Sequence, residues 1–206
     1  MAKAAAEKRE RYHHGQLREA LIDAAHQLIN AHGPEGFSLA EACRLAGVST
    51  AAPYRHFADR GALVEAVASE GFGWLRERTE AARDQHRLGS VESIVAMGKA
   101  YVAFAADEPA VFKLMFGRHP DVQPEGEAHI EGTPCFQVLL DAVDAWIERS
   151  GAEVDHTLDV ALPLWTIVHG TAYLLIDHDF DAVAPGTDTD RLVERSTAAF
   201  LKGISG

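Results

Sequence analysis

The segment from Ser49 to Phe57 carries side chains suited to contact with a nucleic acid. Its first half holds small residues, which permit close approach to base edges and to thymine methyl groups. Its second half holds Tyr54 and His56, whose polar ring groups are long enough to reach backbone phosphates. We therefore expect a DNA-reading segment, and its candidate residues are Ser49, Thr50, Ala51, Ala52, Pro53, Tyr54 and His56.

Two predicted helices joined by a short turn would position this segment. Ser38, itself a candidate DNA contact, and Glu41 have the spacing of a capping box, so a helix is expected to begin there. Gly47 suits the left-handed position that ends this helix, and Ser49 then serves as the N-cap of a recognition helix over 50–56. The span 38–57 meets the requirement for a helix-turn-helix, whose second helix enters the major groove. An ordinary pair of core helices is the alternative.

The apolar periodicity of the chain is helical, so we predict an all-α protein. A helical bundle that binds a ligand and dimerises is expected to follow the N-terminal helix-turn-helix. The predicted domains are a flexible arm over 1–12, a DNA-binding domain over 13–60 and a regulatory and dimerisation domain over 61–206. Helices are expected at 14–31, 59–87, 90–106, 109–116, 133–149, 155–176 and 188–202, with a loop over 117–132.

The charge is unevenly distributed along the chain. The net charge is −12, yet residues 1–60 hold eight Lys and Arg against seven Asp and Glu, so the acid excess falls almost wholly on residues 61–206. A near-neutral head with basic residues at its start is compatible with one end approaching DNA. Arg11 is the candidate DNA contact in the arm, and a frayed, solvated terminus is the alternative.

Several features indicate a protein of the cytoplasm without a membrane partner. Cys43 and Cys135 are far apart and lie in apolar surroundings, which favours buried thiols over a disulfide framework. The first dozen residues lack the apolar stretch of a secretory signal. The uncharged stretch 160–176 is shorter than the roughly 20 apolar residues that span a bilayer, so we interpret it as a bundle helix.

Catalytic and metal-binding patterns are missing from the sequence. None of the eleven histidines has a partner four residues away, the spacing of a helical zinc site. No nucleophile elbow, phosphate loop or dinucleotide fingerprint occurs, so we expect no enzyme activity, no metal and no cofactor. A helical enzyme or an interaction module that does not bind DNA remains the alternative function.

The helix-turn-helix residues resemble those of a known family. The block from Phe37-Ser38-Leu39-Ala40 through Ala46-Gly47-Val48-Ser49-Thr50 to Pro53-Tyr54-Arg55-His56-Phe57 is similar to the DNA-binding domain of the tetracycline-repressor (TetR) family. The resemblance implies that Tyr54 and His56 hold the DNA backbone and that Arg60 grips a phosphate. Gly61 departs from the pattern, because many relatives carry an acidic residue there.

Further motifs extend the resemblance over nearly the whole chain. They are Arg11-Tyr12-His13-His14-Gly15-x-Leu17, Phe112-Lys113-Leu114-Met115-Phe116 and Trp165-x-x-x-His169-Gly170. They resemble a TetR subgroup with a tryptophan-histidine-glycine C-terminal domain. The resemblance implies operator DNA, a small-molecule effector and a twin subunit as partners, with repression as the commoner outcome.

The aromatic residues of the regulatory and dimerisation domain form a candidate ligand pocket, as the resemblance implies, for an effector that is apolar or aromatic. The alternative at each position is plain core, or a dimer interface for His169. We further expect the last two helices to pair with those of a second copy, which sets two recognition helices about 34–36 Å apart on a near-palindrome. The candidate pocket residues are Phe104, Phe112, Met115, Phe116, Trp146, Trp165, His169 and Tyr173.

Overall fold

The computed structural model describes residues 2–51, 53–122 and 126–205, and within these ranges all regular structure is helical. The all-α prediction is therefore confirmed. A single 3-10 turn, Pro53–Arg55, lies between the second and third α-helices. The α-helices are α1 Ala2–His32, α2 Leu39–Leu45, α3 Arg60–Arg83, α4 Val91–Asp107, α5 Pro109–Phe116, α6 Glu127–Ser150, α7 Thr157–Ile176, α8 Asp179–Val183 and α9 Thr189–Ser205.

The helices form two compact units. The N-terminal unit consists of described residues within Met1–Gly71 and Ala110–Ile130, and the C-terminal unit of those within Phe72–Pro109 and Glu131–Gly206. Thus α5 and the segment after it belong with the helix-turn-helix. The domain boundaries expected from the sequence, after residues 12 and 60, remain predictions, since these units divide the chain at other places.

The N-terminal unit is built on the apolar face of α1. Leu21, Ala25 and Ile29 are completely buried there, and α1 packs against both α2 and the 3-10 turn. Leu63 on α3 is also completely buried. Burial of each large aliphatic side chain contributes about 1.5–3 kcal/mol, so these contacts fix the helix-turn-helix on its scaffold.

In the C-terminal unit, α4, α7 and α9 pack against one another. Ser90 begins α4 as its N-cap and accepts a hydrogen bond from the Ser93 amide at 3.1 Å. Among the described helices, α7 alone is long and apolar enough to cross a bilayer, a test that core helices also pass. Val160, Leu164 and Val168 on its buried face favour the core interpretation.

Several helix boundaries differ from those expected. α1 begins at Ala2 and so includes the residues assigned to an arm. α6 begins at Glu127, inside the expected loop, which places Pro134 in the interior of the helix. A proline removes one backbone hydrogen bond from a helix interior, and the packing of α6 outweighs that cost. The short α8 was not predicted, because five residues are too few for a periodic signal.

Candidate nucleic-acid interface

A complete capping box starts α2. The Ser38 hydroxyl accepts a hydrogen bond from the Glu41 amide at 3.2 Å, and the Ser38 amide donates to Glu41 Oε2 at 2.8 Å. The bond from the Ser38 backbone also holds the pKa of Glu41 below its ordinary value. The predicted helix start is confirmed. Ser38 is exposed, so the amino end of α2, where the helix dipole is positive, faces solvent.

The turn after α2 has the geometry of a Schellman motif. Gly47 has a φ of +70°, and its amide donates to the Arg44 carbonyl at 3.2 Å. The Val48 amide donates to the Cys43 carbonyl at 2.9 Å. Glycine adopts this left-handed backbone at low cost, which confirms the role predicted for Gly47.

The recognition segment is shorter and tighter than predicted. Residues 50–56 were expected to be a helix, but among the described residues of this span regular structure is limited to the 3-10 turn Pro53–Arg55. The amides of His56 and Phe57 both donate to the Pro53 carbonyl at 2.8 Å. Pro53 has no amide hydrogen and disfavours the α conformation in the residue before it, so a longer helix cannot form through this position easily.

Two buried residues hold this turn while its other side chains face outward. Pro53 and Phe57 are buried, and the Arg18 guanidinium lies 6.0 Å from the centre of the Phe57 ring. Tyr54 is 66% exposed, and Thr50 is also exposed. The segment therefore presents polar and small side chains on a rigidly anchored support.

The other predicted contacts of this segment are placed as follows. Ser49 and Ala51 are exposed, and His56 is partly buried beside Phe57, with 6.4 Å between ring centres. Ala52 lies outside the described residues. Arg11 belongs to α1, but its side chain lies outside the part of the chain that is described.

Arg60 is held by contacts within the N-terminal unit. Its guanidinium donates to the Pro34 carbonyl, and a second donor lies 2.6 Å from Asp121 Oδ2. The Arg60 and Asp121 side chains are 30% and 24% exposed, so water still reaches the pair. Sequence reasoning missed Asp121, which is 61 residues away along the chain and belongs to no recognisable motif.

A second polar cluster lies in the C-terminal unit. Trp165 Nε1 donates to the Tyr101 hydroxyl at 3.3 Å, and this hydroxyl lies 2.9 Å from Nδ1 of His169. The rings of Trp165 and His169 are 4.9 Å apart, and those of His169 and Tyr173 are 5.0 Å apart. Three of the predicted pocket residues therefore do share one face of α7. Tyr101 was missed, although a tyrosine in an apolar helix needs a hydrogen-bond partner.

Burial controls the protonation of this cluster. It lowers the pKa of His169 and raises the pKa of Tyr101. Burial also raises the pKa of the Cys135 thiol to about 12. A neutral His169 can accept a hydrogen bond at Nδ1 from the Tyr101 hydroxyl, while the Tyr101 oxygen accepts one from Trp165 Nε1. The side chains of this cluster are thus uncharged and combine hydrogen-bonding groups with aromatic rings.

The remaining predicted pocket residues are placed as follows. Trp146 belongs to a hydrophobic cluster of the C-terminal unit, and Phe104 is fully buried with the Arg78 guanidinium 5.3 Å from its ring centre. The other three lie in the N-terminal unit, where the rings of Phe112 and Phe116 are 4.9 Å apart. Met115, buried on the same helix, is the third.

Known families match both halves of the chain. A family model described as "Bacterial regulatory proteins, tetR family" matches residues 21–67. A second, described as "Tetracyclin repressor-like, C-terminal domain", matches residues 94–200, which is more than half of the chain. The first match includes the capping box, the glycine turn and the exposed recognition segment.

Individual relatives agree with the family models. The chain is 26% identical over 190 residues to the uncharacterized HTH-type transcriptional regulator YvkB of Bacillus subtilis (strain 168), covering 90% of this chain and 95% of the relative. A solved structure of a protein of unknown function from Rhodococcus sp. RHA1 is 28% identical, with a TM-score of 0.81 and coverage of 95% and 98%. The chain belongs to the TetR family of transcriptional regulators.

Proposed function

We propose that this regulator is a cytoplasmic repressor, without enzyme activity, that binds a near-palindromic operator as a homodimer and is released by a small molecule. The observation that carries this proposal is the exposed segment around Thr50 and Tyr54, which is anchored to the core of the N-terminal unit by the buried side chains of Pro53 and Phe57. A DNA-reading surface requires side chains free to meet bases on a support that does not yield. The family membership supports DNA, a second subunit and an effector as partners.

The recognition segment divides its work between bases and backbone. Thr50 and Ala51 are small and exposed, and they suit apolar contact with thymine methyl groups and close approach to base edges. Tyr54 and His56 contact phosphates, which set the position of the protein without specifying sequence. Ser38, exposed at the amino end of α2, is a further proposed DNA contact.

The homodimer is proposed to form along an exposed apolar stripe on α7. Leu158, Leu162 and Leu174 are exposed and lie on one row of side chains four residues apart, together with Thr166 and Gly170. The Thr166 hydroxyl donates to the Leu162 carbonyl at 2.8 Å. Because this hydroxyl already has a partner within the helix, Thr166 is compatible with an apolar interface. Rows of this spacing interdigitate when two helices pack.

Gly170 at the centre of the stripe supports close approach by a second copy. A Cβ atom added there would meet nothing within 4 Å. Glycine destabilises a helix interior by roughly 1 kcal/mol relative to alanine, and no close packing within the subunit requires a glycine at this position. A twofold axis at the stripe would bring two such glycines together and let the helix backbones meet closely. α9, with exposed Leu192, is proposed to complete the four-helix interface.

The effector is proposed to bind in the C-terminal unit near the tryptophan-histidine-glycine motif. Trp165, His169 and Tyr173 supply aromatic surface, and the Tyr101 hydroxyl supplies a polar group among them. Such a set suits an apolar or aromatic molecule that carries one hydrogen-bonding group. The same motif supports placing the chain in the corresponding TetR subgroup.

One experiment tests the function. The purified protein is incubated with a pool of random duplexes at moderate salt, bound duplexes are sequenced, and the mass of the complex is measured by sedimentation. We expect a near-palindromic motif and two subunits per duplex. Binding that shows no sequence preference over competitor DNA, or a strictly monomeric protein, would contradict the proposal.

A further inference from the structure

Asp121 occupies the space beside the first turn of α3. Its Oδ2 lies 2.6 Å from the Arg60 guanidinium, and both residues belong to the N-terminal unit. A Cβ atom added at Gly61 would lie 3.0 Å from Asp121 Oδ1 and 3.2 Å from its Cγ. A larger residue at position 61 would therefore push against this carboxylate. The absence of a side chain at Gly61 therefore leaves room for Asp121.

We propose that Asp121 is an intramolecular competitor of DNA phosphate for Arg60. This inference rests on the proposed function and on the phosphate contact that the resemblance to TetR proteins implies for Arg60. Carboxylate and phosphate are both anions that suit the planar donor fork of arginine, so they compete for the same donors. The pair observed between Arg60 and Asp121 is then the weakly binding state of this contact.

The geometry explains why the competition is effective. One terminal nitrogen of Arg60 faces Asp121, and the other donates to the Pro34 carbonyl, so both prongs of the fork are engaged. The carboxylate also compensates the arginine charge. A phosphate that approaches a neutral pair is attracted less than by an isolated cation, and the Asp121 charge itself repels it.

Asp121 lies outside the regular helices. It lies in the segment that follows α5, where its own amide donates to Nδ1 of His119 at 3.2 Å. Movement of this segment away from α3 would free the terminal nitrogen of Arg60 that faces Asp121, whereas the contact as observed retains it. A local shift of the segment would thus change the affinity for DNA while the recognition residues stay in place.

Asp121→Asn tests the inference through the salt dependence of DNA binding. The affinity for a random duplex, and for a duplex selected by the wild-type protein, is measured across a salt series. We expect tighter binding to both by about fivefold or more. The plot of log affinity against log salt should steepen by about 0.9 for each subunit, because one additional phosphate is neutralised per released arginine.

Two comparisons separate competition from a general effect of charge. In an Arg60→Gln background, Asp121→Asn should leave the salt slope unchanged, since no released arginine remains. Glu127→Gln removes another acid of the same unit, which pairs with Arg18 at 3.3 Å, and it should not steepen the slope. Thermal unfolding checks that each variant is folded, and Asp121→Ser serves as a second substitution with the same expected outcome.

The results distinguish this inference from the function on which it rests. If Arg60→Gln weakens DNA binding but Asp121→Asn changes neither affinity nor slope, competition is refuted while the proposed function stands. If Asp121→Asn weakens binding, Asp121 positions Arg60 for DNA and the inference is likewise overturned. A wild-type protein that binds no duplex would remove the proposed function and this inference together.

Discussion

The hydroxyl of Tyr101 on α4 lies 2.9 Å from Nδ1 of His169 on α7, and it also accepts a hydrogen bond from Trp165 Nε1. This single oxygen joins two helices that pack against each other in the C-terminal unit. Tyr101 is almost fully buried, and loss of its hydroxyl would remove a hydrogen-bond partner from the ring nitrogens of Trp165 and His169.

Tyr101→Phe should therefore lower the free energy of unfolding by about 1–3 kcal/mol, the usual cost of depriving buried polar groups of a hydrogen-bond partner. Urea denaturation followed by circular dichroism measures the change. DNA affinity at low temperature, where the variant is folded, should be unaffected. An unfolding free energy equal to that of the wild type would show that the hydrogen bonds of Tyr101 with His169 and Trp165 contribute nothing to stability.

Tyr54→Phe is the matched substitution on the other unit and should give the opposite result. Tyr54 is 66% exposed, so its hydroxyl adds little to stability, but in the proposed function it contacts a phosphate. We expect unchanged unfolding and a uniform loss of affinity for all duplexes, because a backbone contact carries no sequence information. Loss of preference for one sequence with affinity otherwise retained would contradict this role.

The pH dependence of stability should contain a contribution from His169. Burial lowers its pKa in the folded protein, so the unfolded chain binds a proton more readily. Stability from this group is present above the ordinary histidine pKa of about 6.5 and is lost as the pH falls through it toward the folded value. Unfolding free energies at pH 7.5 and pH 5.5 should differ less in His169→Gln than in the wild type.

A histidine without this environment provides the control. His178 is exposed, with 82% of its side chain accessible, and it lies outside the polar cluster of α4 and α7. His178→Gln should retain the wild-type decrease between the two pH values. If His169→Gln also retains the full decrease, the protonation of His169 does not govern stability in this pH range.

The features that sequence predicted best are those made by neighbouring residues. The capping box of Ser38 and Glu41 and the left-handed turn at Gly47 are encoded within a few positions, and both occur as expected. The helix predicted over 50–56 was wrong, because among its described residues only Pro53–Arg55 has regular structure, a single 3-10 turn. The role of the small residues in this span remains a prediction.

The missed residues share a different property. Tyr101 and Asp121 acquire their roles from partners that are 68 and 61 residues away. No periodicity or spacing reports such pairs, since they depend on how the helices pack. The grouping of Trp165, His169 and Tyr173 was accessible, because four-residue spacing on one helix already places them together.

Substitution on the α7 stripe should alter the oligomeric state and spare the fold. Gly170→Leu adds a side chain where the subunit has open space, and it replaces a poor helix former by a good one. We expect subunit stability to be kept or raised by up to about 1 kcal/mol, while a close helix contact between copies is blocked. Sedimentation should show a shift from dimer to monomer and DNA affinity should fall. Val183→Leu, at an exposed site on α8, should remain dimeric.

The identity of the operator should depend on the two small exposed residues before the 3-10 turn. Thr50→Ser and Ala51→Ser remove or replace methyl groups that are proposed to meet thymine methyls, and neither residue is buried in the protein. We expect selection from random DNA to return a motif changed at one or two base pairs in each half-site, at a cost of about 1–3 kcal/mol for binding the wild-type motif. His56→Ala in the same selection should weaken binding and return the wild-type motif, since its proposed partner is the backbone. Recovery of an unchanged motif with Thr50→Ser and Ala51→Ser would move base recognition to other residues.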